Sequence, residues 1–258
     1  MQKEHRTKPA RHLVWLTAFA VPALLVLLAL GNWQLDRLAE KEDLIAHVTA
    51  SIDAPPEAAP GPASWGALEN DEEVLALDYR HVSITGSFLQ GSAYYFTSLP
   101  ERSGRYSGPG YMLYSPFQTK DGWSVLVNRG FIPQDVFRHQ RSAVEEVPTG
   151  SLKLVGLLRR SETPNWTTPE ADETNRIWFA RDTEHMAKVL GLNPDNLAPY
   201  SIDLDAEFTG PEGLPQAGET VVRFKNDHLG YALTWFGLAA TLIGVFATYS
   251  LSVLRRRP

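Results

Sequence analysis

The chain has 258 residues, enough for one large domain or two small ones. It contains no cysteine, which excludes disulfides and thiolate copper sites, and its three methionines argue against a copper chaperone. The net charge is −6, from 24 basic and 30 acidic residues, and the two signs are unevenly placed.

The first twelve residues carry Lys3, Arg6, Lys8 and Arg11. An uncharged apolar run follows over residues 13–30, and a second fills residues 229–254, ahead of Arg255, Arg256 and Arg257. Each is long enough to cross a hydrocarbon core of about 30 Å as a helix. Basic flanks stay on the cytoplasmic side, so both termini are expected there, with the segment between the spans outside. With the tails set aside, that remainder holds 17 basic and 29 acidic residues, a net of −12, which argues against nucleic-acid binding. The first run is long for a signal peptide, and no small-x-small cleavage pattern follows it, so an uncleaved span is expected. Nothing in residues 1–12 resembles a mitochondrial transit peptide, which points to a bacterial inner membrane.

Beyond the first span, Trp33, Gln34, Arg37, Leu38, Lys41, Leu44, Ile45 and Val48 recur at helical spacing. The spacing predicts one helix running out of the bilayer, with Trp33 as an interfacial anchor, ending before the proline- and alanine-rich residues 51–62. No internal repeat or coiled-coil heptad is visible. From Tyr79 the pattern turns to strands: residues 82–88, 94–96, 112–114, 123–131 and 152–158, with glycine and proline between them, as in antiparallel sheet. Residues 183–190 read as a helix stopped by Gly191; Ile202 with Leu204, and residues 221–224, read as closing strands. The expected fold is a membrane protein with two transmembrane helices flanking an external β-rich α+β domain. Its parts are a basic tail (1–12), a first span (13–31), its continuation outside (32–50), a periplasmic domain (51–228), a second span (229–254) and a basic tail (255–258).

Catalytic signatures are scarce. There is no nucleophile elbow around Ser124, no His-Glu-x-x-His and no phosphate loop. Gly104, Gly108 and Gly110 read as a flexible surface loop, and Asp71-Glu72-Glu73 as a solvated face. Asp203 and Asp205 alternate, but too few oxygen ligands accompany them for calcium. His5, His12, His47, His81, His139 and His185 are isolated and read as surface or packing residues. His228 differs, because an ionisable side chain at the mouth of a span needs a reason. It is either a polar cap of the helix or a ligand, and imidazole is a common ligand of haem iron. Arg223, Lys225 and Arg37 offer cations at the same surface, where haem propionates need partners; Arg37 could equally be an exposed charge snorkelling to the interface. Small residues Gly237, Ala240, Thr241, Gly244 and Thr248 form a stripe, by default packed on the first span, alternatively on a protein or porphyrin surface.

Three stretches resemble the surfeit-locus-one (Surf1/Shy1) assembly factors of cytochrome c oxidase. Gly31-Asn32-Trp33-Gln34-Leu35-Asp36-Arg37, with Lys41 and Leu44-Ile45, is similar to the family's Gly-x-Trp-Gln motif at the exit of the first span. Val125-Leu126-Val127-Asn128-Arg129-Gly130-Phe131-Ile132-Pro133 resembles its central strand motif, with Phe131 where tryptophan is frequent. His228-Leu229-Gly230-Tyr231-Ala232-Leu233-Thr234-Trp235-Phe236-Gly237-Leu238-Ala239 resembles the start of its second span, with Gly230 where a larger polar residue is frequent. Asn175 to Asp182 is a weaker match. The resemblance implies an assembly factor, not an enzyme, that binds haem a and assists its insertion into, or the maturation of, oxidase subunit I. The implied iron ligand is His228, with Arg37, Arg223 and Lys225 as propionate partners and Trp33 and Trp235 bordering the porphyrin. The Asn128-Arg129-Gly130 turn reads as a structural or partner-docking element. Expected partners are oxidase subunit I, haem a synthase and membrane lipid. A scaffold that holds an oxidase intermediate without touching haem, and a membrane-anchored periplasmic enzyme, stay open as alternatives.

Overall fold

The computed structural model describes residues 8–66, 78–99, 104–220 and 226–255. The chain divides into two compact units, Met1–His47 with Arg223–Pro258, and Val48–Val222.

The first unit pairs helix α1 (Lys8–Asp53) with the long C-terminal helix α5 (His228–Arg255). At 1.5 Å per residue these reach about 69 and 42 Å, so both are long enough to cross a bilayer, and α1 continues well beyond it. The least exposed positions along α1 include Leu24, Leu27, Gly31, Gln34, Leu38 and Lys41, in steps of three and four. That alternation of three and four, close to 3.5 residues, keeps one seam on one side of a helix. It escapes a search for heptads because Gly31, Gln34 and Lys41 stand where such repeats carry apolar residues. α1 also runs to Asp53, past the expected end at residue 50, since the first proline of the linker is Pro55. On α5 the buried positions are Ala232 and Ala239, not the glycine stripe: a Cβ built on Gly237 or Gly244 meets nothing within 4 Å. The hydroxyls of Thr241 and Thr248 instead bond back to the carbonyls of Gly237 and Gly244. The stripe therefore does not pack on the first span.

The second unit is built from β1 (Glu57–Ala58), β2 (His81–Phe88), β3 (Ala93–Leu99), β4 (Gly108–Thr119), β5 (Ser124–Pro133), β6 (Leu152–Arg160), β7 (Ile177–Trp178) and β8 (Leu197–Leu204). Among the described residues three α-helices join them: α2 (Pro62–Trp65), α3 (Gln134–Glu145) and α4 (Thr183–Val189). The sheet order is β1-β2-β6-β8-β5-β4-β3-β7, and β2 also pairs with β4. That extra pairing closes β2, β6, β8, β5 and β4 into a five-stranded barrel, antiparallel except where β5 meets β8. A closed, five-stranded Greek-key barrel with a helix after its third strand is the OB-type arrangement.

Closure happens at Gly86, which faces both Leu152 of β6 and Thr119 of β4. A Cβ there would lie 2.0 Å from the Gln118 carbonyl oxygen, so only glycine lets β2 turn between two partners. Val82, Ile84, Phe117, Val125, Val127, Leu158, Tyr200 and Ile202 fill the interior, each from an alternate strand position. Tyr111, Leu113 and Ile132 prolong that inner face towards α3, while Met112, Tyr114, Leu126 and Phe131 on the outer face pack on Trp178 and α4.

The expected strands at 82–88, 94–96, 123–131, 152–158 and 202–204 and the helix at 183–190 all appear. Gly108 and Gly110 lie in β4 and pair with Leu99 and Thr97 of β3, so the surface loop ends before them. Helix α3 was not expected; Val136, Phe137 and Val144 cover the sheet on a helix whose polar residues dominate its sequence. The expected strand at 221–224 lies outside the described residues.

Candidate functional site

His228 is the first residue of α5 and sits half-buried. Its Nδ1 lies 2.7 Å from Oε1 of Gln34, which is buried on the α1 seam. Beyond this contact α1 and α5 approach closely: a Cβ on Gly31 would come within 2.6 Å of the Phe236 ring. Gly31 and Gln34 are one turn apart on α1, so the same seam that admits Phe236 also presents an amide to the imidazole. With an amide oxygen as acceptor, Nδ1 carries the proton and donates, which leaves Nε2 with a free lone pair. No hydrogen bond is made by Nε2 among the described residues. Ligating histidines are commonly oriented this way, by a carbonyl or carboxylate holding the other ring nitrogen.

Around this pair, Asn226 keeps its Oδ1 buried and without a hydrogen-bond donor among the described residues. Trp235, seven residues after His228, is half-buried on the same helical face. Trp33 is half exposed, and the Arg37 guanidinium lies 5.9 Å over its ring. Arg37 also bonds Glu40 at 2.6 Å, with both side chains more than half exposed. An ion pair that open to solvent is worth little, so Arg37 can exchange it for another anion. Arg223 and Lys225 lie outside the described residues. The structure thus brings together His228 and Gln34, with Trp33 and Arg37 on an adjoining face of α1. In the sequence Gln34 is legible as part of the Gly-x-Trp-Gln motif, but without a role in the site. Its signal was a polar amide at a seam position, inside the motif itself.

The second polar centre lies within the barrel unit. Asn128 donates from Nδ2 to Asp203 Oδ1 at 3.0 Å and accepts from the Gly130 amide. Asp203 also accepts from Thr220 at 2.8 Å and pairs with Arg159, which in turn bonds Asp78. Arg129 is the extra residue of a bulge: Leu113 pairs with Gly130 and Tyr114 with Asn128. Gly130 takes a φ of 128°, and a Cβ would strike the Gln216 backbone at 2.3 Å. The bulge turns the Arg129 guanidinium onto the carbonyls of Val144, Glu145 and Glu146, where α3 ends. Asp205, just past the end of β8, bonds His81 at 2.7 Å, so both Asp203 and Asp205 are occupied by protein partners.

Comparison with known protein families matches residues 21–240, a stretch that contains every residue discussed around His228, to the SURF1 family. The chain belongs to the SURF1 family. It is 31% identical over 233 residues to a SURF1-like protein of Rickettsia bellii, covering 90% of this chain and 89% of that one. It is 34% identical over 222 residues to Surfeit locus protein 1 of Mus musculus, covering 82% of this chain and 68% of that one. The corresponding human protein is 33% identical over 223 residues, covering 82% and 69%. In this SURF1-family chain two apolar helices flank a β-rich domain, the layout of a protein anchored in a membrane at both ends.

Proposed function

We propose that this SURF1-family protein binds haem a at the outer face of a bacterial inner membrane and assists its insertion into, or the maturation of, subunit I of cytochrome c oxidase. The observation that carries the reading is the His228–Gln34 pair at the start of α5. It offers one oriented imidazole nitrogen at the entrance of a membrane span, with aromatic rings and an exchangeable arginine nearby. A haem held there by the His228 imidazole would supply the iron centre that is to be passed on. His228 holds the iron; Gln34 fixes the tautomer and ring plane; Arg37, Arg223 and Lys225 meet the propionates; Trp33 and Trp235 border the ring. The basic flanks Lys3 to Arg11 and Arg255 to Arg257 support cytoplasmic termini and a periplasmic barrel. Haem a synthase is the donor this reading requires, oxidase subunit I the acceptor, and the protein itself transforms nothing.

Purification from cells that make haem a tests the reading. Wild type is expected to carry a haem spectrum that disappears in His228→Ala. Gln34→Leu, which keeps the seam filled but removes the acceptor, is expected to weaken haem retention about 10- to 100-fold. If wild type carries no haem above background, the carrier role fails and a scaffold for an oxidase intermediate takes its place.

A further inference from the structure

Arg129 is nine-tenths buried, and no carboxylate approaches its guanidinium among the described residues. Its three hydrogen bonds all go to backbone carbonyls, at 3.2, 3.4 and 2.6 Å, from its two terminal nitrogens. A guanidinium has five N–H donors, so Nε–H and one further N–H stay without an acceptor among the described residues. The carbonyls at the end of α3 and the Phe88 ring, 5.7 Å away, ease the charge without neutralising it. Burial accordingly pulls the Arg129 pKa down to about 10.

This arginine lines a cavity of about 400 Å³ at the end of the barrel. The other walls are Phe88, Leu152, Leu154, Leu204 and Phe208, with Pro211 and Leu214 at the rim. Exposed Lys153 adds a second cation at the mouth, opposite exposed Glu146. The volume is in the range of small-molecule pockets, and mainly apolar walls with a few convergent polar groups are their usual chemistry. We propose that this cavity binds a small amphiphilic monocarboxylate, its head on Arg129 and its short apolar chain against the barrel-end side chains. The match is one unneutralised guanidinium, with two N–H donors unused among the described residues, to one carboxylate. The apolar walls match the chain. A multiply charged phosphate would leave most of its charge facing Phe88 and Leu204. The site is independent of His228, so it stands or falls apart from the haem reading.

Octanoate titrated into the full chain in lipid nanodiscs, read by saturation-transfer NMR against empty nanodiscs, tests the proposal, with octan-1-ol as the neutral comparison. Octanoate is expected to bind about tenfold or more tightly than octanol, the difference of a charge-assisted contact. Arg129→Gln is expected to erase that preference. Ala143→Trp, on the exposed face of α3 at the cavity wall, fills the space with every Arg129 hydrogen bond intact and is expected to abolish octanoate binding. Equal binding of octanoate and octanol overturns the proposal, as does octanoate binding untouched by Ala143→Trp. Binding of an apolar tripeptide with a free C-terminus, but not of octanoate, overturns it in favour of a peptide terminus.

Discussion

His228 and His81 show how a partner decides what an imidazole can do. At His228 one ring nitrogen is engaged by an amide and the other makes no hydrogen bond among the described residues, which is the state a metal ligand requires. At His81 both nitrogens face acceptors, Ala54 O at 2.8 Å and Asp205 Oδ2 at 2.7 Å, which favours the imidazolium. Burial alone would lower the His81 pKa; the bonds to Ala54 and Asp205 outweigh it and raise the value above 6.5. The folded protein therefore holds this proton more tightly than the unfolded chain. The stabilisation is complete below about pH 6.5 and fades as pH rises through the raised folded value. The midpoint of unfolding of His81→Ala should fall below that of wild type at pH 6 and approach it at pH 9. A constant gap across that range would show that the pair acts through packing and not through charge. Neither histidine's partner could be read from the chain: Gln34 is 194 positions from His228, and Asp205 is 124 from His81.

Helix α1 was legible as a span because its composition is uniform, and its pairing face was not, because that face is mixed. Gly31 sits where α1 meets the Phe236 ring, while Gly244 on α5 faces open space. Gly31→Leu is therefore expected to wedge the two helices apart, lowering both thermal stability in detergent and haem retention, whereas Gly244→Leu leaves both unchanged. Equal effects from the two substitutions would mean that the stripe on α5, and not the Gly31 seam, holds the pair. Among the strands, β2 was readable from the alternation of Val82 with Ile84, which turns one apolar face inward, and β5 from its β-branched run, which is apolar on both faces, with Val125 and Val127 inside and Leu126 outside. The length of β4 was not readable. Pro109 and Pro116 interrupt its pattern, yet Pro116 faces Leu126 of β5 within the sheet.

The barrel unit encloses its own core, with Val82, Val125, Val127 and Ile202 fully buried and contributed by three strands. A fragment covering Val48–Val222 is expected to unfold in a single cooperative transition without the two apolar helices. Loss of cooperativity in that fragment would show that the helices complete its core. The sequence by itself determined the two spans, most of the strands and the singular position of His228, because these rest on local hydropathy, alternation and composition. Tertiary structure alone decided that β2 closes on β4 at Gly86 and that Gln34 holds His228. It also set Arg129 over an apolar cavity with donors to spare. Each of these joins residues more than ten positions apart, and in each the deciding quantity is a close approach or a buried polar partner. Such quantities arise only when the chain has folded back on itself.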